Sequence, residues 1–103
     1  MDIQKVQRQV GDFAEENNLE GTVEFRIMDL VSEVGEVVKD ATKSADYGNK
    51  TEKLEVKEDE IGDVFFSLFM VCNNLGINAE EALETALEKY RDRIDEKGDP
   101  GSK

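Results

Sequence analysis

Apolar residues recur every three or four positions along most of the chain, which is the spacing of an amphipathic helix. This pattern predicts four helices. They run from about Asp2 to Asn17, from Val23 to Ser44, from Leu54 or Lys57 to Leu75, and onwards from Asn78. β-Branched residues never alternate cleanly over the length of a strand. The pattern therefore predicts an all-α fold, and four helices with short connections favour a four-helix bundle.

The residues at the ends of these segments suit helix termini. Thr22 is a candidate N-cap for the second helix, and Gly76 is suited to end the third. Asn78, with Glu81 three residues later, forms the Asn version of a capping box at the start of the fourth. The polar stretch at residues 45–51 predicts a loop between the second and third helices.

The third helix is apolar on nearly every side from Val64 to Cys72. A monomeric bundle of this length cannot easily cover such a helix on all sides. We therefore expect a homodimer, or a homotetramer built from dimers, with Phe66 or Met70 near an interface and a site formed between subunits.

Length and composition narrow the class of protein. A chain of 103 residues normally forms one domain, which we place at residues 1–97, with a mobile tail at residues 98–103. Its 25 acidic residues against 13 basic ones give a net charge of -12, which argues against nucleic acid as a partner. With no His and a single cysteine, Cys72, zinc sites, disulfides and Ser-His-Asp catalysis are excluded. No membrane span or signal peptide is recognisable, so we expect a cytoplasmic protein.

Acidic side chains gather on one face of each of the two central helices. Because each helical residue turns by about 100°, four carboxylates of the second helix share one stripe. They are Asp29, Glu33, Glu36 and Asp40. On the third helix one narrow face carries the polar residues, which are Glu60, Asp63, Ser67 and Asn74.

Two pairs of these carboxylates could face each other across the bundle. They are Glu33 with Glu36, and Glu60 with Asp63. Four carboxylates beside a core cannot all remain ionised without a counterion, and hard cations such as Mg²⁺ or Mn²⁺ prefer oxygen ligands. The alternative is that both pairs are solvated surface residues that only look aligned.

At these motifs the chain resembles the MazG-like nucleotide pyrophosphohydrolases of the all-α NTP pyrophosphatase superfamily. The hallmark of that family is E-E-x-x-E followed by E-x-x-D. Here its two parts read Ser32-Glu33-Val34-Gly35-Glu36 and, after 23 intervening residues, Glu60-Ile61-Gly62-Asp63. The resemblance covers roughly residues 23–95. It departs from the pattern at Ser32, which replaces the first Glu of the doubled pair.

The resemblance implies a metal-dependent enzyme that cuts a nucleoside triphosphate between its α- and β-phosphates, releasing a monophosphate and pyrophosphate. The metal, Mg²⁺ with Mn²⁺ possible, would be held by Glu33, Glu36, Glu60 and Asp63. Glu36 or Glu33 would take the proton from the attacking water. The Trp or His that members often carry near the base is absent here, so no base preference is implied.

Basic and amide side chains are candidates for holding the substrate. Lys89 and Arg93 share one flank of the fourth helix and suit the phosphate chain, and Lys39 could also reach phosphate. Asn74 lies on the metal-bearing face of its helix and could bond sugar or base. Each also has an ordinary role, since Lys and Arg near a helix C-terminus favour the dipole and Asn often satisfies backbone groups.

Two other functions remain open at this point. The chain could be a non-catalytic acidic interaction module whose carboxylates are solvated surface. It could also keep the metal site and act on another pyrophosphate-containing substrate. A metal-dependent change in thermal stability separates the first alternative from the enzyme.

Overall fold

The protein is described here by a computed structural model covering residues 2–102. Its elements are α1 (Ile3–Glu16), α2 (Val23–Ser44), two short 3₁₀ turns (Asp46–Gly48 and Thr51–Lys53), α3 (Glu58–Leu75) and α4 (Ala79–Lys97). No strand occurs in that part of the chain. The predicted all-α class and four helices are confirmed, and α3 begins at the later of its two expected starts.

The predicted caps form at the ends of the helices. The Thr22 hydroxyl accepts a hydrogen bond from the Phe25 N–H, and the Asn78 side chain accepts from the N–H groups of Glu80 and Glu81. Gly76 ends α3 with φ 67°, a left-handed conformation that glycine adopts without steric cost. These local hydrogen bonds explain why the boundaries could be predicted from single residues.

α2 and α3 form an antiparallel pair whose contacting faces are polar. The Asn74 amide donates to the Gly21 carbonyl oxygen at one end, at 3.0 Å. Near the other end the Lys57 N–H donates to Asp40 Oδ2, at 3.4 Å. The polar faces predicted for the two helices therefore lie against each other.

A buried glutamine attaches α1 to the turn between α3 and α4. Gln7 Nε2 donates to Asn73 Oδ1 at 3.0 Å and to the Ile77 carbonyl oxygen at 2.7 Å. Gln7 Oε1 accepts from the Ala79 N–H at 2.8 Å. Gly11 lets α1 approach closely, because a Cβ there would lie 3.1 Å from the Asn73 amide nitrogen.

The four helices of one chain do not close into a compact bundle. α4 leaves α3 at an angle of 103° and packs mainly on α1. The radius of gyration is 16.7 Å, against about 13 Å for a compact chain of this length. Among residues 2–102 the buried apolar residues are Ala14, Ala45, Met70 and Cys72. The four predicted helices therefore form, but within one chain they do not close into the predicted bundle.

The two residues expected near an interface, Phe66 and Met70, pack against residues of their own chain. Met70 is buried within the chain, and the Phe66 ring packs edge-on against Phe13 with centroids 6.1 Å apart. The large apolar side chains of α3 that remain exposed are Ile61, Phe65, Leu68 and Leu75, with Phe65 the most exposed at 57%. The sequence could not separate these faces, because α3 is apolar almost all the way round.

No single helix in residues 2–102 is both long and apolar enough to cross a membrane. Taken together, α3 and α4 meet that criterion by length and composition alone, with the 103° bend between them.

We predict that Gln7→Ala lowers the free energy of unfolding by about 2 kcal/mol, because it removes three hydrogen bonds and leaves buried partners unsatisfied. Urea unfolding followed by circular dichroism measures this. Gln9→Ala, at an exposed position of the same helix, should change the free energy by less than about 0.5 kcal/mol. Equal effects of the two substitutions would contradict the anchoring role of Gln7.

Candidate functional site

Glu33 lies among other carboxylates where α2 faces α3. Partial burial, and the negative charges of Asp63, Asp29 and Glu36, raise the pKa of Glu33 above its usual value. Asp63, the neighbour that belongs to α3, is one of the residues predicted from the sequence to lie opposite Glu33. The structure thus brings Glu33 and Asp63 into one electrostatic neighbourhood.

A second pair of carboxyl groups, Asp40 and Glu60, meets nearer the end of α2. A hydrogen bond with Asp40, partial burial and the charges of Asp40 and Glu36 raise the pKa of Glu60. The same hydrogen bond, with help from the Lys57 backbone N–H, lowers the pKa of Asp40. The two shifts are opposite, so within this pair a proton favours Glu60 over Asp40. Glu60 Oε2 is covered and has no hydrogen-bond partner among residues 2–102.

The contact between the acidic stripe of α2 and the polar face of α3 is called the seam below. Two of its carboxylates were not assigned to the site from the sequence. Asp40 contacts Glu60, and Asp29 Oδ2 accepts a hydrogen bond from the Ser67 hydroxyl at 3.0 Å. Both belong to the acidic stripe of α2, so the stripe itself was the available signal. What the sequence did not reveal was which carboxylates have partners on α3.

The carboxylates do not converge on one point. In residues 2–102 no group of three or more His, Cys, Asp or Glu side chains lies close enough together to hold a metal ion. The donor set nevertheless suits a hard cation, since it offers only oxygen atoms and includes the covered, unpartnered Oε2 of Glu60. Binding by the four predicted ligands would need side-chain adjustments within the seam.

The predicted substrate residues lie in different parts of the fold. Lys39 is exposed on α2, and its charge acts on Asp40. Asn74 lies at the far end of the seam, where its amide is bonded to Gly21. Lys39 and Asn74 therefore lie on α2 and α3, the two helices that carry the carboxylates.

Lys89 and Arg93 lie on α4, and both lie near the Tyr90 ring of the same helix. Lys89 Nζ is 5.2 Å from the centre of the Tyr90 ring, and Arg93 Cζ is 6.0 Å from it. Arg93 also donates to the Pro100 carbonyl oxygen at 3.1 Å. Because α4 packs mainly on α1, a single chain does not bring this pair to the carboxylates of α2 and α3.

The raised pKa of Glu33 predicts how stability changes with pH in protein freed of divalent ions. This group contributes stability below its unfolded pKa, and that contribution is lost as the pH rises through the higher folded pKa. We expect Tm to fall as the pH rises above about 4.5, and Glu33→Gln to weaken this fall. Calorimetry in EDTA measures Tm against pH. If Tm of Glu33→Gln depended on pH as Tm of wild type does, Glu33 would not be crowded by the other carboxylates.

Comparison with known proteins identifies the family of this chain. The family model described as "MazG nucleotide pyrophosphohydrolase domain" matches residues 22–97, which include α2, α3 and α4. The chain is 37% identical over 68 residues to a Bacillus subtilis (strain 168) protein named "Uncharacterized protein YpjD". That similarity covers 62% of this chain and 60% of the relative, so the chain spans less than two thirds of the relative's length. No solved structure matches the chain. On the extent of the family match, the chain belongs to the MazG nucleotide pyrophosphohydrolase domain family.

Proposed function

We propose that the protein is a Mg²⁺-dependent nucleoside triphosphate pyrophosphohydrolase that cleaves (d)NTPs between the α- and β-phosphates. The observation that carries the proposal is the antiparallel seam in which the Glu33–Glu36 segment of α2 faces the Glu60–Asp63 segment of α3. Both segments lie within the region matched by the family. A role in clearing surplus or non-standard nucleotides would follow from this activity.

The proposed ligands of the metal are Glu33, Glu36, Glu60 and Asp63. When bound, a divalent cation would supply positive charge for the phosphate oxygens and lower the pKa of a coordinated water. Ligand carboxylates must be ionised, and the raised pKa of Glu60 would therefore make binding of the ion weaker as the pH falls. The Ser67 hydroxyl holds Asp29 in place beside Glu33, which limits the movement of that carboxylate towards a ligand position.

The same carboxylates explain how so acidic a chain could accept a triphosphate. Without a counterion the seam repels phosphate, because Glu33 already lies among three other negative charges. Neutralising the seam removes that repulsion where the triphosphate would bind. Glu36 or Glu33 is then the candidate to accept the proton of the attacking water.

The basic residues divide into two groups in this proposal. Lys39 lies on α2 itself and could contact phosphate in the same chain. Lys89 and Arg93 lie on α4, away from the seam of their own chain, so they would serve a neighbouring subunit's seam. Complete substrate binding would then require an oligomer.

The apolar surface supports a homo-oligomer. One face of the α2–α3 pair carries an apolar groove of about 290 Å³. It is lined by Val34, Val37, Ile61, Val64, Phe65 and Leu68. Exposed apolar grooves of this kind are typical of interfaces. We propose that a second copy of the chain covers this groove and completes the bundle, as a homodimer or a homotetramer.

We expect the wild-type protein to release pyrophosphate from at least one of the eight common NTPs and dNTPs in the presence of Mg²⁺. Glu36→Gln and Asp63→Asn should lower kcat/KM by more than about 100-fold, because each removes a charged ligand. Glu24→Gln is the matched control, since Glu24 is exposed and, nine residues before Glu33, lies on the opposite side of α2 from the carboxylates that face α3.

The metal is tested separately by thermal unfolding. Binding to the folded form alone should raise Tm by about 10 °C or more at a hundredfold excess over Kd. Asp63→Asn should lose most of this rise, whereas Glu24→Gln should keep it. Absence of both a metal-dependent rise in Tm and pyrophosphate release from every nucleotide would leave the non-catalytic interaction module as the better explanation.

Sedimentation or light scattering tests the proposed oligomer. Phe65→Glu places a charge in the apolar groove and should shift the protein towards monomer, with loss of activity if Lys89 and Arg93 act across the interface. Leu54→Glu, at an exposed apolar position outside the groove, should leave the mass unchanged. A wild-type monomer at micromolar concentration would refute the assembly.

A further inference from the structure

A small cavity opens at the end of the seam where α2 ends and α3 begins. Its volume is about 210 Å³, and it is lined by Asp40, Lys43, Ser44, Glu55 and Lys57. This is the volume of about seven water molecules in the liquid, which is enough for a phosphate group. Asp40 Oδ2 accepts from the Lys57 N–H, and Asp40 is also hydrogen-bonded to Glu60. One wall of the cavity is therefore in direct contact with a proposed metal ligand.

The connection between α2 and α3 brings two lysines to this cavity. Lys43 lies in the last turn of α2, and Lys57 is the N-cap residue of α3. Ser44 Oγ accepts a hydrogen bond from the Glu55 N–H at 2.7 Å and lies 3.0 Å from the Glu55 carbonyl oxygen. Because this contact ties the two ends of the connection together, both lysines line one cavity although the connection separates them in the sequence.

The cavity end of the seam differs from its middle in the charges that act there. The groups that act on Glu33 are all carboxylates. At the cavity, the charge of Lys57 acts on both Asp40 and Glu60, and that of Lys39 also acts on Asp40. Together with Lys43, these positive charges favour an anion at this end of the seam.

The opposite end of the seam presents little positive charge to a ligand. A cleft of about 500 Å³ lies there beside Asn74, and the charged side chain in its lining is Glu20. Arg26, in the second turn of α2, is buried, with 6% of its surface exposed. A nucleotide carries its charge on the phosphates and not on the base. The asymmetry of the seam therefore favours one direction of the substrate along it.

We propose that Lys43 and Lys57 bind the β- and γ-phosphates of the substrate, so that the nucleotide lies along the seam with its pyrophosphate end at this cavity. The inference rests on the proposed function. Hydrolysis joins the oxygen of the attacking water to the α-phosphorus and breaks the bond from that phosphorus to the oxygen that bridges to the β-phosphate. The electron pair of the broken bond stays with the pyrophosphate, whose added negative charge the two lysines stabilise.

Two carboxylates share the cavity with the lysines. Asp40 is held by the Lys57 N–H and by Glu60, so it stays beside the proposed metal ligands. Glu55 is exposed, and its contact with Ser44 holds its backbone rather than its side chain. The Glu55 side chain can therefore turn into solvent when a phosphate group enters. Until it does, its charge opposes the phosphate.

The first experiment measures hydrolysis of the best triphosphate substrate by wild-type protein, Lys43→Met, Lys57→Met and the control Lys5→Met, at an exposed position of α1. Lys43→Met and Lys57→Met should each lower kcat/KM by roughly tenfold or more, because each removes a charge-assisted hydrogen bond to phosphate. Inhibition by pyrophosphate should weaken by a similar factor, whereas inhibition by the nucleoside monophosphate should not change. The control should keep all the wild-type values.

Glu55→Gln tests the same cavity in the opposite direction. Removing this charge should strengthen inhibition by pyrophosphate by about two- to fivefold and leave inhibition by the monophosphate unchanged. Lysines that act only in folding would give a lower Tm and an unchanged ratio of the two inhibition constants, and that result would overturn the proposal. Equal weakening of both products in Lys43→Met would indicate general attraction of anions and would also overturn it.

Binding without hydrolysis separates this proposal from the proposed function. With Mg²⁺ present, pyrophosphate should protect Lys43 and Lys57 of wild-type protein from acetylation, measured by mass spectrometry, and should leave Lys5 unprotected. If no triphosphate is hydrolysed and pyrophosphate still protects the two lysines, the phosphate site stands and the hydrolase assignment fails. If triphosphates are hydrolysed and neither lysine is protected, the phosphate site fails and the hydrolase assignment stands.

The protection measurement uses only wild-type protein, so it decides the question even if a variant does not fold. Protection of Lys89 in place of Lys43 and Lys57 would put the pyrophosphate at α4 of a neighbouring subunit. That outcome would also overturn the proposal.

Discussion

The rest of the structure depends on the crowding of carboxylates between α2 and α3. Like charges at this distance repel, and burial adds to the cost, as the raised pKa of Glu33 shows. Two hydrogen bonds relieve part of the repulsion, one between Asp40 and Glu60 and one from the Ser67 hydroxyl to Asp29. In the proposed function a divalent cation would relieve the remainder, so one feature would both strain the metal-free fold and bind the metal.

Because polar side chains occupy the contact between α2 and α3, apolar side chains of both helices remain on the outside of the pair. The side chains that would normally form the core between α2 and α3, such as Val34 and Phe65, are 44% and 57% exposed. With so few apolar residues buried, one chain has little hydrophobic burial to offset the entropy of ordering it. The polar seam and the incomplete core therefore have one cause, and the proposed second subunit addresses the incomplete core.

Much of the fold and part of the site could be predicted from single residues. Helix boundaries depend on local hydrogen bonds, so Thr22, Gly76 and Asn78 predicted them well. The acidic stripe of α2 and the polar face of α3 followed from helical periodicity, which is also local. The pairing of Asp40 with Glu60 could not be predicted, because it depends on the axial register of two helices joined by a connection of irregular shape.

The sequence by itself determined the all-α class, the helix ends and the two carboxylate segments, because each follows from periodicity or capping within a few residues. Only the tertiary structure decided that Met70 is buried while Phe65 is exposed, that α4 packs mainly on α1, and that Arg26 is buried. Burial depends on which distant segment covers a side chain. Spacing along one helix therefore cannot reveal it.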